Sequence, residues 1–225
     1  MRIRDIESII LQHDMDEELG FAQGYYDKRT AHLIKVHTDE GITGIGEIFG
    51  AGSFAFANQG ILEHVIKPLV VGRNPLDINV IWHDVYNAVR DHGRTGMPIC
   101  CLSGVDIALW DIFGKATSQP LYQLLGGMAR EQVVAYGYGM MFRKRDDLPA
   151  VYEEEVSRIV EMGFTASKMK IGMGVEKDAE LATAVRRGAG DGFKLMADAN
   201  HAYTVGEAIQ LGRTLRDLGF YWFEE

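Results

Sequence analysis

The sequence predicts an α+β N-terminal domain over residues 1–127, followed over 128–225 by about the first half of an α/β barrel of the TIM type. Three observations carry that reading. Apolar residues alternate with period two before about residue 50 and take a helical period from there to about 125. After Gly127, strand-like and helix-like runs alternate to the end. Finally, the apolar strand runs close on short polar stretches: Lys168-Met169-Lys170, Asp198-Ala199-Asn200 and Glu224-Glu225. The steps of 28 residues from Lys170 to Asp198 and 26 from Asp198 to Glu224 match one strand, one helix and their loops, and in such barrels chemistry sits where strands end.

The elements follow in order. Residues 3–11, 32–38 and 42–48 read as an antiparallel meander, the last two strands joined by a tight turn at Asp39-Glu40-Gly41. Two loops rich in Gly and aromatics, 12–29 and 49–56, are candidate lids. Ile61, Leu62, Val65 and Ile66 mark a helix before Pro68, and Asn74-Pro75 reads as the cap and first residue of a helix running to Arg90. A third helix is expected over 99–115, then a short turn from Pro120 to Gly126-Gly127. In the second domain, strands are expected at 133–138, 166–171, 193–197 and 221–225. Helices are expected at 148–162, at 177–187 with Gly188 closing it, and from the capping box Thr204/Glu207 to about Leu218. Four strands are half of an eight-stranded barrel and leave a sheet edge open, so the chain reads as incomplete.

Composition narrows the function. With 47% hydrophobic and 24% charged residues the chain is an ordinary globular one, and 225 residues suffice for a substantial core. A net charge of −9 argues against nucleic-acid and anionic-membrane partners, which reward a basic surface. The two cysteines, Cys100 and Cys101, are adjacent in an apolar helix and read as reduced core residues. The N-terminal stretch lacks the apolar region of a signal peptide and no apolar run approaches a membrane span, so the expected location is the cytoplasm.

Side chains at i and i+2 of a strand share a face, so Lys168 and Lys170 project together, as do Asp198 and Asn200. Two neighbouring ammonium groups lower each other's pKa, which suits one of them to general-base duty. Asp198 and either Glu224 or Glu225 would converge from adjacent strands, and converging carboxylates need protons or a cation; hard oxygen donors suit Mg²⁺. Parity leaves the choice between the two glutamates open. Tyr136 and Tyr138 read as packing residues and His201 as a loop residue.

These residues resemble the enolase superfamily, in its mandelate racemase and muconate lactonizing branch, over essentially the whole chain. The resemblance lies in Gly41-Ile42-Thr43-Gly44-Ile45-Gly46-Glu47, in the helix from Ser103 to Lys115 with its continuation Pro120 to Gly127, and in Lys168-Met169-Lys170. Cys101 stands where a small Ala is more usual. The resemblance implies that Lys170 is the base for one face of the substrate and that Lys168 holds the substrate carboxylate. It also implies that Asp198 and Glu224 are Mg²⁺ ligands and that Asn200 contacts substrate. It implies abstraction of the proton α to a carboxylate through an enediolate, the use of a Lys or His base with Mg²⁺ being documented for the superfamily. Dehydration of a hydroxy acid or sugar acid is the favoured outcome; racemisation, epimerisation or cycloisomerisation is the alternative within the family, and a non-catalytic fragment the alternative outside it. A homo-oligomer acting on a small-molecule carboxylate is expected. The third carboxylate ligand and the base for the opposite face would lie on later strands, beyond Glu225.

Overall fold

The computed structural model describes residues 1–50 and 52–225; Ala51, in the second expected lid loop, lies outside the described residues. The chain forms two compact units, residues 1–14 with 28–131, and residues 15–27 with 132–225.

The N-terminal sheet has the order β1 (Ile3–Phe21), β2 (Gly24–Thr38), β3 (Thr43–Ile48). The expected loop over 12–29 is instead strand almost throughout: β1 and β2 run on to a two-residue connection at Ala22 and Gln23, a length that only a hairpin permits. Alternation of small polar and β-forming residues in that stretch was too loose to mark it as strand. β2 and β3 pair antiparallel, Lys35 opposite Ile45 and His37 opposite Thr43.

Helices follow: α1 (Ser53–Ile61), a π-helical turn (Leu62–Ile66), α2 (Lys67–Val70), α3 (Ile78–Gly93), α4 (Met97–Thr117) and α5 (Leu121–Leu124). The second expected lid loop therefore gives way to helix at Ser53. Asn74 does not cap α3. Its Oδ1 accepts from Leu76 N at 3.2 Å, closing a local turn, and the helix begins four residues later. α4 is long and apolar enough, by length and composition, to cross a bilayer, more so than the run-length reading of the sequence suggested. Here its Leu102, Val105, Leu109 and Ile112 are buried in the core of the unit with Ile34, Val36 and Ile48 of the sheet.

The contact of α4 with β3 explains the glycine-rich signature. Gly44, Gly46 and Ile48 face inward, and a Cβ on Gly44 or Gly46 would run into the backbone carbonyl of Ala108 or Gly104 respectively. Helix and strand backbones thus touch directly, which only glycine allows. Asp111 accepts from Ile45 N at 2.8 Å, and Lys115 bonds both Asp111 (2.7 Å) and Thr43 O (2.8 Å).

In the second unit the parallel sheet has the order β4 (Gly137–Tyr138), β5 (Ala166–Lys170), β6 (Lys194–Asp198), β7 (Phe220–Glu224), with α6 (Leu148–Glu161), α7 (Val175–Ala189) and α8 (Val205–Asp217) between successive strands from β4 onward. The first strand is shorter than expected, since Val133 and Val134 are exposed and unpaired with β5. Gly188 does not end α7. It lies inside the helix, where a Cβ would strike Glu153 O on α6, and Gly190 at φ 72° stops the helix instead. The capping box forms as expected, with Thr204 accepting from Glu207 N and Glu207 accepting from Thr204 N. Met169, Leu195 and Ala197 turn toward the helices and join Tyr152, Leu181 and Leu211 in a second core.

Asp178, in the first turn of α7, is fully buried. Burial pushes its carboxyl up to about 6, partly offset by hydrogen bonds from the backbone of Gly172, Met173 and Gly174.

Gly46→Ala should destabilise the protein by about 2–3 kcal/mol in denaturant unfolding, because neither backbone can yield to a methyl group. A second prediction concerns pH. The folded pKa of Asp178 lies above its unfolded value, so its contribution to stability is fully present below about pH 4 and lost as pH rises through about 6. Relative to Asp178→Asn, wild type should lose up to about 3 kcal/mol across that window; parallel stability profiles for the two proteins would refute this.

Candidate active site

The parallel register sets the site. Lys170 lies opposite Asp198, and Asp198 opposite Glu224, so three neighbouring strands end in one row of charged side chains. Lys170 Nζ donates to Asp198 Oδ2 at 2.5 Å and to Asn200 Oδ1 at 2.6 Å. Lys168 Nζ pairs with Glu224 Oε2 at 2.8 Å and lies 3.4 Å from Asp198 Oδ2. Both lysines and Asp198 are buried.

Lys168, Lys170, Asp198, Asn200 and Glu224 therefore meet in one cluster of hydrogen bonds and ion pairs. Of the two glutamates, Glu224 joins the lysines, while Glu225 accepts from Asn200 Nδ2 at 3.3 Å and lies 3.2 Å from His201 Nε2. A bulge decides this: Leu195 pairs with Phe220 but Met196 with Trp222, so Tyr221 is an extra residue that sets the phase of β7.

The electrostatics differ from the sequence expectation at Lys168. Desolvation pulls its pKa down, but the hydrogen bond to Glu224 and the charges of Asp198 and Glu224 outweigh that and push it up to about 12. The carboxylates of Glu224 and Asp198, 2.8 and 3.4 Å from Lys168 Nζ, supply the opposite charge that keeps Lys168 cationic. At Asp198 burial works against ionisation, yet the hydrogen bonds from Lys170 and from Asn200 N, with the two lysine charges, hold the carboxyl below its ordinary range.

Backbone geometry sharpens the loops at the strand ends. Asn200 (φ 45°) and His201 (φ 63°) both adopt the left-handed region, which lets Asn200 N turn back to Asp198 Oδ1 at 3.1 Å. Two consecutive non-glycine residues in that region are costly, and such strain gathers where side chains must be aimed.

Several neighbours were not legible as site residues. Tyr138 is half-exposed, its ring centre 5.6 Å from Lys170 Nζ and 5.9 Å from Lys168 Nζ; Tyr136 lies 5.9 Å from Lys168 Nζ. They line the lysine face instead of packing in a core, a placement that the period-two parity with Lys168 could have flagged. From the hairpin end that belongs to this unit, the Phe21 ring stands 5.9 Å from Lys170 Nζ and Gln23 Nε2 donates to Asn200 O at 2.6 Å. Gly20 and Phe142 exchange two backbone hydrogen bonds, 2.8 and 2.9 Å, which fix this end.

Asp198 and Glu224 offer hard oxygens from adjacent strands, and the positions around them already accommodate two positive charges. That donor chemistry fits a divalent cation such as Mg²⁺ in kind, with two protein carboxylates. Among the described residues no group of three His, Cys, Asp or Glu side chains is arranged to hold a metal.

Comparisons with known proteins agree with this architecture. Residues 6–126 match the family model of the mandelate racemase/muconate lactonizing enzyme N-terminal domain, and residues 151–225 the enolase C-terminal domain-like model. The chain is 39% identical, over its whole length, to the D-galactarolactone cycloisomerase of Agrobacterium fabrum and covers 58% of that protein. It is 38% identical to the arabinonate dehydratase of Saccharolobus solfataricus, with 90% of this chain and 57% of the relative aligned. A racemase from Streptomyces coelicolor, solved with bound magnesium, superposes with a TM-score of 0.89 at 26% identity, covering 98% of this chain and 61% of that one. The chain thus spans somewhat under two thirds of the length of these proteins. With both family models matched, the first over more than half the chain, this protein belongs to the mandelate racemase/muconate lactonizing enzyme family of the enolase superfamily.

Proposed function

We propose that this chain carries residues of an active site that removes the proton α to the carboxylate of a sugar acid or related hydroxy acid, with dehydration as the outcome. The observation that carries the reading is the single cluster of Lys168, Lys170, Asp198, Asn200 and Glu224 at three adjacent strand ends. Relatives named as an arabinonate dehydratase and a galactarolactone cycloisomerase support the substrate class.

In this reading Asp198 and Glu224 hold Mg²⁺, which when bound supplies positive charge to offset the negative charge that grows on the substrate carboxylate as the proton leaves. Lys170 Nζ takes the proton. Its present partner is Asp198, which would no longer pair with Lys170 if it held a cation. Lys168, held cationic by its environment, binds and neutralises the substrate carboxylate. Asn200 hydrogen-bonds the substrate, and Phe21 and Gln23, with Tyr136 and Tyr138, shape the space above the lysines.

A cycloisomerase is the second reading. It is favoured by the 39% identity across the whole chain to a protein of that activity. Both outcomes share the proton abstraction, so an exchange assay tests the common step and product analysis separates them.

Incubating the protein with Mg²⁺ and a panel of sugar acids and lactones in D₂O should give exchange of an α-proton from at least one of them. No exchange by a folded, Mg²⁺-loaded sample across the panel would count against the function. Lys170→Ala should lower exchange by about 10²- to 10⁴-fold, the scale of a lost general base, while Mg²⁺ still binds. In calorimetric titration, Asp198→Asn should lose Mg²⁺ affinity by tenfold or more; unchanged affinity would remove Asp198 from the ligand set.

A further inference from the structure

We propose that Asp178 is a positioning residue for the strand-end site, acting as a clamp between the loop that follows β5 and the loop that follows β6. The inference rests on the reading of those strand ends as the active site.

Its basis is a convergence of donors on one oxygen. Asp178 Oδ2 accepts from Gly172 N at 2.7 Å and Met173 N at 3.1 Å, directly after the strand that carries Lys168 and Lys170. The same oxygen accepts from the hydroxyl of Tyr203, three residues beyond Asn200. One carboxylate on α7 therefore ties together the two loops that deliver Lys170 on one side and Asp198 and Asn200 on the other. Around it the backbones are drawn tight. Gly172 sits at φ 128°, and a Cβ there would meet those of Ala22 and Ala202. Ile171 N donates to Asp198 O at 3.0 Å, and Tyr152, buried beside this carboxylate, places its hydroxyl 3.5 Å from Lys170 O.

The second carboxylate oxygen, Oδ1, is buried without a hydrogen-bond partner among the described residues. Leaving that oxygen unpaired is destabilising. Its neighbour Oδ2, as a charged acceptor, draws three donors from two separate loops more strongly than a neutral one would.

The test uses Asp178→Asn and Tyr203→Phe, both close to isosteric. The readouts are the side-chain resonances of Asn200 and Asp198 by NMR and the Mg²⁺ affinity by calorimetry, with thermal unfolding as the control for folding. Positioning predicts that both variants stay folded, that the Asn200 and Asp198 resonances shift in each, and that Mg²⁺ binds about tenfold more weakly, a typical coupling for residues in one network. The double variant should lose no more affinity than the worse single one. Should Asp178→Asn fail to fold, Tyr203→Phe decides alone. If wild type binds no Mg²⁺ but the resonances still move, the clamp stands and the metal reading falls. Resonances unmoved in a folded Tyr203→Phe would overturn the clamp.

Discussion

Two ammonium groups and two carboxylates form one chain of ion pairs, Lys170–Asp198–Lys168–Glu224, at the ends of three parallel strands, and the rest of the second unit is arranged to make that tolerable. Each charge buried alone would cost several kcal/mol, and breaking a buried pair is worse than never having it. The register therefore has to be right to within one residue, because a slip of one would turn every charged side chain into the apolar layer beneath the helices. Met169 and Ala197, the residues between the charged ones, fill that layer, so the same two strands satisfy the core on one face and the charge cluster on the other.

The cluster also explains why Lys168 departs from the lowered pKa that the adjacency of two lysines alone would suggest. Desolvation lowers its pKa, but Lys168 sits against Glu224 and Asp198 and is held strongly cationic. The balance at Lys168 is set by these carboxylates.

Close approach of backbones is the other recurring device. Gly44 and Gly46 let β3 lie directly on α4, and Gly188 lets α7 cross α6 at a carbonyl. Gly172 lets Ala22 and Ala202 each close in on its own backbone beside the strand-end loops. Each of these glycines is a place where a methyl group would push apart two elements. Asp111 and Lys115 add polar contacts along the same α4–β3 seam.

The sequence by itself determined the element order of both units, the capping box of α8 and the shared faces of Lys168 with Lys170 and of Asp198 with Asn200 at strand ends, since period, parity and strand-end position are local properties. Several features were decided only by tertiary structure. The phase of β7 depends on a bulge against β6, so the choice of Glu224 over Glu225 in the lysine cluster needed the neighbouring strand. The pKa of Lys168 depends on charges 30 and 56 residues away in the chain. The hairpin end with Phe21 and Gln23 read as a loop because its alternation was weak, and its strand form rests on pairing with β2 and on the two bonds to Phe142. Nothing local marks Asp178, an acid in the first turn of α7; the convergence of two loops on its buried oxygen sets it apart. Local pattern fixes which residues can share a face, whereas partners supplied from distant segments fix their charge, register and aim.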